Sequence, residues 1–190
     1  MKDSLIEPQF SNQYTLQWSK NGINMGSIIG KVINYDPENQ TEFYINIEVS
    51  DLDVSKTGFT IIAHTWRKNN RLKKLIPIIG ITRYFINYPE YVKEGLIWHE
   101  VGHVHHKHVL RNKLTQYQLR EERLNCIKKN DVLPMEIEAD IFAAKKVGKS
   151  TYIEILKYVK EHRPFEDTNA YSEVGRKEYD IRIEKINKLL

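Results

Sequence analysis

The sequence predicts an α+β fold with a strand-rich first half and a helical second half. Three observations carry this. Between about Tyr14 and Asn87, short apolar runs are broken by turn residues, as strands require. From Pro89 onward, apolar residues recur at helical spacing. The two patterns follow one another without βαβ alternation, which reads as α+β. A length of 190 residues suits one domain, expected to span 1–190, mainly β over 1–87 and mainly α over 88–190.

The segment Phe43 to Val49 alternates Phe43, Ile45, Ile47 and Val49 with Tyr44, Asn46 and Glu48, which predicts a half-buried strand. Gly58 to Trp66 and Leu75 to Ile86 are two further strands, joined by the polar turn Arg67 to Lys74. Asp36-Pro37-Glu38-Asn39 marks a loop. Pro89 suits a first helical position, and its helix is expected to reach about Leu110. A charged helix covers about Leu114 to Lys129 and breaks at Asn130-Asp131. Pro134 opens a third helix that Gly148 closes. Ser150 caps a fourth, with Tyr152, Ile155, Leu156 and Val159 as its buried stripe. A last helix runs from Ser172 to the C-terminus.

Composition narrows the function classes. Hydrophobic residues make up 41% and aromatic residues 11%, enough apolar surface to exclude disorder as the dominant state. Cys126 is the single cysteine, which excludes an intrachain disulfide and a cysteine-based zinc ribbon. A reducing, cytoplasmic location is the expectation, with no signal peptide and no apolar run long enough to cross a membrane. The net charge of +4 and pI near 9.0 fall short of the dense basic stripe of a nucleic-acid binder. The cluster Arg67-Lys68, Arg71 and Lys73-Lys74 reads as a solvated turn, so direct nucleic-acid binding is not expected.

The chemistry concentrates in His99-Glu100-Val101-Gly102-His103. Two histidines four residues apart lie on one helix face, so both imidazoles can reach one metal ion. Glu100 is offset by about 100° from His99 and can serve as a base toward water without being a ligand. Chance produces this pattern in a chain of this composition with a probability of roughly 2%. Gly102 costs about 1 kcal/mol of helix propensity relative to Ala, which implies a close neighbour there. A helix continuing past His103 turns His105 and His108 toward solvent, and makes His106 a wall residue.

A catalytic zinc takes three protein ligands and keeps a fourth position open. The segment Glu136-Ile137-Glu138-Ala139-Asp140-Ile141-Phe142-Ala143-Ala144 supplies candidates. Glu136, Asp140, Ala143 and Val147 share one face. Glu136 can complete the metal site, and Asp140 can accept the free ring N–H of a ligand histidine. Glu138 points about 200° away from Glu136 and is expected to matter little.

A helix bearing HExxH followed by a later helix bearing ExxxD resembles the gluzincin metallopeptidases. The fuller form, Glu-x-Glu-Ala-Asp-x-Phe-Ala-Ala, is similar to the cytosolic ImmA/IrrE-like family and to the HtpX-like membrane proteases. The resemblance covers about Pro89 to Gly148. The chain departs from the ImmA/IrrE pattern after Ala144, where Lys145-Lys146-Val147-Gly148 stands in place of Leu-Met-Pro. Metzincins place a third histidine ten residues after the first, where this chain has Val109. SprT-like proteases take one from just downstream, an alternative that the His105, His106, His108 run keeps open.

The resemblance implies a zincin-like fold, in which a twisted N-terminal sheet lies against the active-site helix and a helical C-terminal part gives the third ligand. It implies one Zn2+ per chain, held by His99, His103 and Glu136, with Glu100 as general base. Gluzincins often draw a histidine or tyrosine from beyond the site to stabilise the oxyanion; His162 and Tyr171 are candidates, with Tyr158 and the core-like Tyr152 competing. The expected substrate is a protein or peptide, such as a DNA-binding repressor, lying extended along Leu75 to Ile86 or Gly58 to Trp66. The alternative is a non-hydrolytic, zinc-containing regulatory or protein-binding module. An intact Glu100 speaks against it.

Overall fold

The computed structural model describes residues 14–18, 28–36, 41–49, 63–69, 75–108, 114–163 and 169–190. The described elements are strands β1 (Tyr14–Trp18), β2 (Ile28–Asp36), β3 (Thr41–Val49), β4 (Ala63–Asn69) and β5 (Leu75–Ile81), followed by helices. These are α1 (Arg83–Ile86), α2 (Glu90–His105), α3 (Gln116–Lys128), α4 (Pro134–Val147), α5 (Lys149–His162) and α6 (Asn169–Leu189). The class is mixed α+β.

The strands form one sheet in the order β1-β2-β3-β5-β4. The first three are antiparallel neighbours, β3 pairs parallel with β5, and β5 pairs antiparallel with β4. On β3, Ile45, Ile47 and Val49 are buried and Tyr44 is exposed, as the alternation predicts. On β5, the consecutive residues Ile78, Ile79, Gly80 and Ile81 are all buried, the mark of a strand flanked on both edges and covered on both faces. Pro77, which lacks an N–H, sits opposite Arg67 of β4, just before the β3 ladder begins at Asn46↔Ile78.

Two strand boundaries depart from expectation. Leu75 to Ile86 is not one strand: extended structure stops at Ile81, and Thr82 leads into the single turn α1. That turn puts Phe85 and Tyr88 into the core, which an extended chain would not. β4 runs on to Asn69, so Arg67, Lys68 and Asn69 pair with Pro77, Ile76 and Leu75 rather than forming a turn. Backbone pairing at a sheet edge tolerates this polar composition. Residues 58–62 and 70–74 of those two expectations lie outside the described residues, as do 37–39 of the expected 36–39 loop, while Asp36 ends β2 opposite Thr41.

Helix α2 packs on β4, β5, α4 and α5. After an exposed first turn, its stretch from Gly95 to Val104 is buried on nearly every side, including Ile97, Trp98, His99, Glu100, Val101, His103 and Val104, which is why that stretch lacks a polar face. Gly102 meets α4: a Cβ there would lie 2.8 Å from the Ala139 Cα. The expected close neighbour is therefore Ala139. The helix ends at His105 rather than near Leu110, because Lys107 takes a left-handed φ of 59°.

Pro134 opens α4 as expected, and Gly148 at φ 92° ends it. The same glycine begins α5, so Ser150 is not its cap. The buried stripe of α5 is Tyr152, Ile155, Leu156 and Val159, as predicted. Thr115 and Gln118 form a capping box that starts α3. The last helix begins at Asn169, a turn earlier than Ser172. No described helix is long and apolar enough to cross a membrane.

Candidate metal centre

One turn of α2 and the first turn of α4 face each other across the Gly102–Ala139 contact. This brings His99, His103 and Glu136 together, each offering a ligand atom within 4.8 Å of the others. His99 Nε2 stands 3.2 Å from His103 Nε2 and 3.4 Å from Glu136 Oε2, and His103 Nε2 stands 3.8 Å from Glu136 Oε1. Tetrahedral bonds of about 2.0–2.1 Å set neighbouring donors about 3.3 Å apart, so the residues fit a zinc ion. Two imidazoles and one carboxylate also suit its ligand preference.

The ring nitrogens that face away from this point are also engaged. His99 Nδ1 lies 2.8 Å from Asp140 Oδ1, one turn along α4 from Glu136. Asp140 is fully buried and accepts from Tyr152 Oη at 2.7 Å and from Arg182 Nε at 2.7 Å. With Asp140 as acceptor, His99 keeps a proton on Nδ1, so a metal that displaces the other ring proton would meet an Nε2 lone pair. Asp140 thus stands where the sequence places it.

Electrostatics follow from burial and these contacts. Burial opposes a charged His99, but Asp140 and Glu136 outweigh it and lift its pKa to about 9. Burial pushes His103 down to about 3. Burial also opposes ionisation of Asp140, yet Arg182 holds it at about 2. For Glu136, burial is again outweighed, here by His99, His103 and Arg182, and the carboxyl stays well below its usual range. Burial raises Glu100, the one carboxyl of the group shifted upward. Its Oε2 accepts from Thr65 Oγ1 at 2.7 Å, which fixes the carboxylate against β4.

Four features of the site escape sequence reasoning. His108 is not solvated: it is buried, and its Nδ1 lies 2.8 Å from His103 Nδ1. The left-handed turn at Lys107 swings it back beneath α2, where a continuous helix would have turned it outward. Glu138 is not idle, since its Oε2 lies 2.7 Å from His108 Nε2. Arg182 reaches Asp140 from α6, and its signal was a cation within the buried stripe of Glu178, Tyr179, Arg182 and Ile186. Thr65 gave no local signal. His105 is half-buried, its Nδ1 2.9 Å from Tyr14 Oη and its ring tilted against Phe142. His106 stacks on His108 at the end of α2.

The oxyanion candidates are not gathered here. His162 is exposed at the end of α5, stacked on Tyr158 with its Nδ1 2.9 Å from the Tyr158 carbonyl. The Tyr171 side chain lies outside the described residues. Tyr152 does reach the site, but as the buried donor to Asp140. Cys126 is half-buried on α3, and burial raises its thiol pKa, which leaves it a poor nucleophile. No family model, no curated protein and no solved structure matches the chain.

Proposed function

We propose that this protein is a zinc metallopeptidase of zincin-like fold that cuts a protein substrate. The observation that supports this best is the buried Glu100 beside the His99, His103 and Glu136 donors. A metal site that only stabilises a fold has no use for a further carboxylate that is not a ligand. Zinc bound by the three donors would polarise a peptide carbonyl and lower the pKa of water toward neutrality. Glu100 then accepts the proton of the attacking water and passes it to the leaving amine. Its raised pKa suits both halves of that task, because the proton must be held between them. Thr65 keeps the carboxylate aimed, and Asp140 keeps His99 in its ligand tautomer.

Substrate adds as a strand along β4. Of the two strands suspected from sequence, β5 lies inside the sheet between β3 and β4, and β4 forms an edge among the described strands. Thr65 of β4 touches Glu100, so a chain lying on that edge passes close to the base. The ImmA/IrrE resemblance suggests a regulatory protein such as a DNA-bound repressor as the substrate.

Glu100→Gln tests the reading. It keeps shape and removes the base, so zinc content and thermal unfolding should match wild type. Cleavage of a quenched-fluorescent peptide library should fall by about 10²- to 10⁴-fold. A mutant that cleaves as well as wild type, or a wild type that takes up no zinc, overturns it. A wild type that binds zinc and a partner but never cleaves favours the non-hydrolytic module.

A further inference from the structure

We infer that His108 and Glu138 are positioning residues for His103, forming a relay that fixes this imidazole as an Nε2 ligand. The inference rests on the metal site proposed above and extends it to two residues outside the HExxH and ExxxD pattern.

The argument is one of proton accounting. A neutral imidazole has one N–H and one lone pair. If His103 offers its Nε2 lone pair to a metal, its proton must sit on Nδ1. That Nδ1 lies 2.8 Å from His108 Nδ1, with both rings buried. His108 Nδ1 must then be the acceptor, which places its own proton on Nε2. There Glu138 Oε2 waits at 2.7 Å, and a carboxylate can only accept. With both rings neutral, one arrangement satisfies every position in the chain Glu138, His108, His103, the one that leaves His103 Nε2 free for a metal. The opposite arrangement with neutral rings would set a His108 lone pair against the Glu138 carboxylate.

The relay mirrors the arrangement at His99, where Asp140 accepts directly from Nδ1. Both ligand histidines therefore end on a carboxylate of α4, one through a bond and one through an intervening ring. The two carboxylates differ in setting. Asp140 is fully buried, while the Glu138 side chain is 53% exposed, so the second arm should be the weaker. The turn that builds it is local: Lys107 at φ 59° carries the chain back so that a residue five positions after His103 lies under it.

The test measures zinc affinity by competition with a chromophoric chelator on the full chain. His108→Ala should weaken zinc binding about 10- to 100-fold, as loss of a hydrogen-bonded partner does for a ligand histidine. Glu138→Ala, at a half-exposed position that folding tolerates, should weaken it about 3- to 10-fold, a smaller loss within the same physical effect. The decisive measurement is the double variant. If the relay runs through His108, Glu138→Ala has no further effect once His108 is alanine. Long-range 15N–1H spectra should show His103 with its proton on Nδ1 in wild type and a mixture of tautomers in His108→Ala. Wild-type zinc binding with either single variant within twofold of it, or with Glu138→Ala equally costly in both backgrounds, overturns the relay alone. A wild type that binds no zinc overturns the metal site itself.

Discussion

Replacing Gly102 with alanine adds one methyl group where α2 and α4 touch. The new carbon would lie 2.8 Å from the Cα, 3.0 Å from the carbonyl oxygen and 3.2 Å from the Cβ of Ala139. Carbon atoms settle at about 3.5–4.0 Å, so the helices must separate by about 0.7 Å or more. The obstacle is helix backbone, which cannot rotate aside. Overpacking of this kind costs about 1–3 kcal/mol, and a backbone obstacle points to the upper half of that range. Alanine recovers about 1 kcal/mol of helix propensity. The net expectation is a loss of about 1–2 kcal/mol in urea unfolding of the zinc-free protein. Zinc affinity should fall with it, because α2 carries His99 and His103 while α4 carries Glu136. Gly95 is the control. A Cβ there would meet Ile155 Cδ1 at 2.4 Å and its Cγ2 and Cγ1 at 3.3 and 3.4 Å, so the worst clash is with a side-chain tip that χ2 rotation can move, not with backbone. Gly95→Ala should therefore cost less. A Gly102→Ala protein as stable as wild type, with full zinc affinity, would refute the close approach and the account of how the site is held.

Two further predictions concern the acids of the site. Asp140→Ala leaves the buried Arg182 without its carboxylate and His99 without its acceptor; unfolding free energy should fall by about 3–5 kcal/mol and zinc affinity about 10- to 100-fold. Glu138→Ala should cost less by both denaturation and chelator competition, and the reverse ranking would refute the assignment. The His99 pKa of about 9, against 6.5 for a free histidine, gives a pH dependence. Without metal, this group's stabilisation is complete below the unfolded value and is lost as pH rises through about 9, a span worth about 3 kcal/mol. Zinc replaces that proton, so between these limits uptake should release about one proton and affinity should rise about tenfold per pH unit. Calorimetry in two buffers of different ionisation enthalpy measures the release; no release near pH 7.5 would refute it.

What the sequence made legible was local. The alternation of Phe43 to Val49 predicts a strand, and Pro134 and Gly148 bracket α4, because each rests on neighbours in the chain. The stripe of α5 is legible for the same reason. The end of α2 was not, since Lys107 adopts a left-handed φ without being glycine and so leaves no mark in composition. The extent of β4 was not, since its last three residues are polar and become strand only by pairing with β5.

The site divides along the same line, and the division bears on the proposal that it holds an ion. His99, Glu100 and His103 follow from spacing on one helix, and Glu136 with Asp140 from spacing on another. Arg182 lies 42 residues beyond Asp140, on a helix whose sequence says nothing of its partner. Yet Arg182 shapes the electrostatics, because it is bound to Asp140 and also stands 3.9 Å from Glu136. The partly buried Glu136 and the buried Glu100 are two further carboxyls beside neutral His103. Burying carboxylates costs several kcal/mol each before their partners offset it, and a core built only for packing would replace them with apolar groups. Without metal, the raised pKa of His99 lets a proton offset part of that charge. A divalent cation offsets more of it and releases the proton to solvent. The acids that look costly as packing therefore become reasonable as the surroundings of a bound zinc ion.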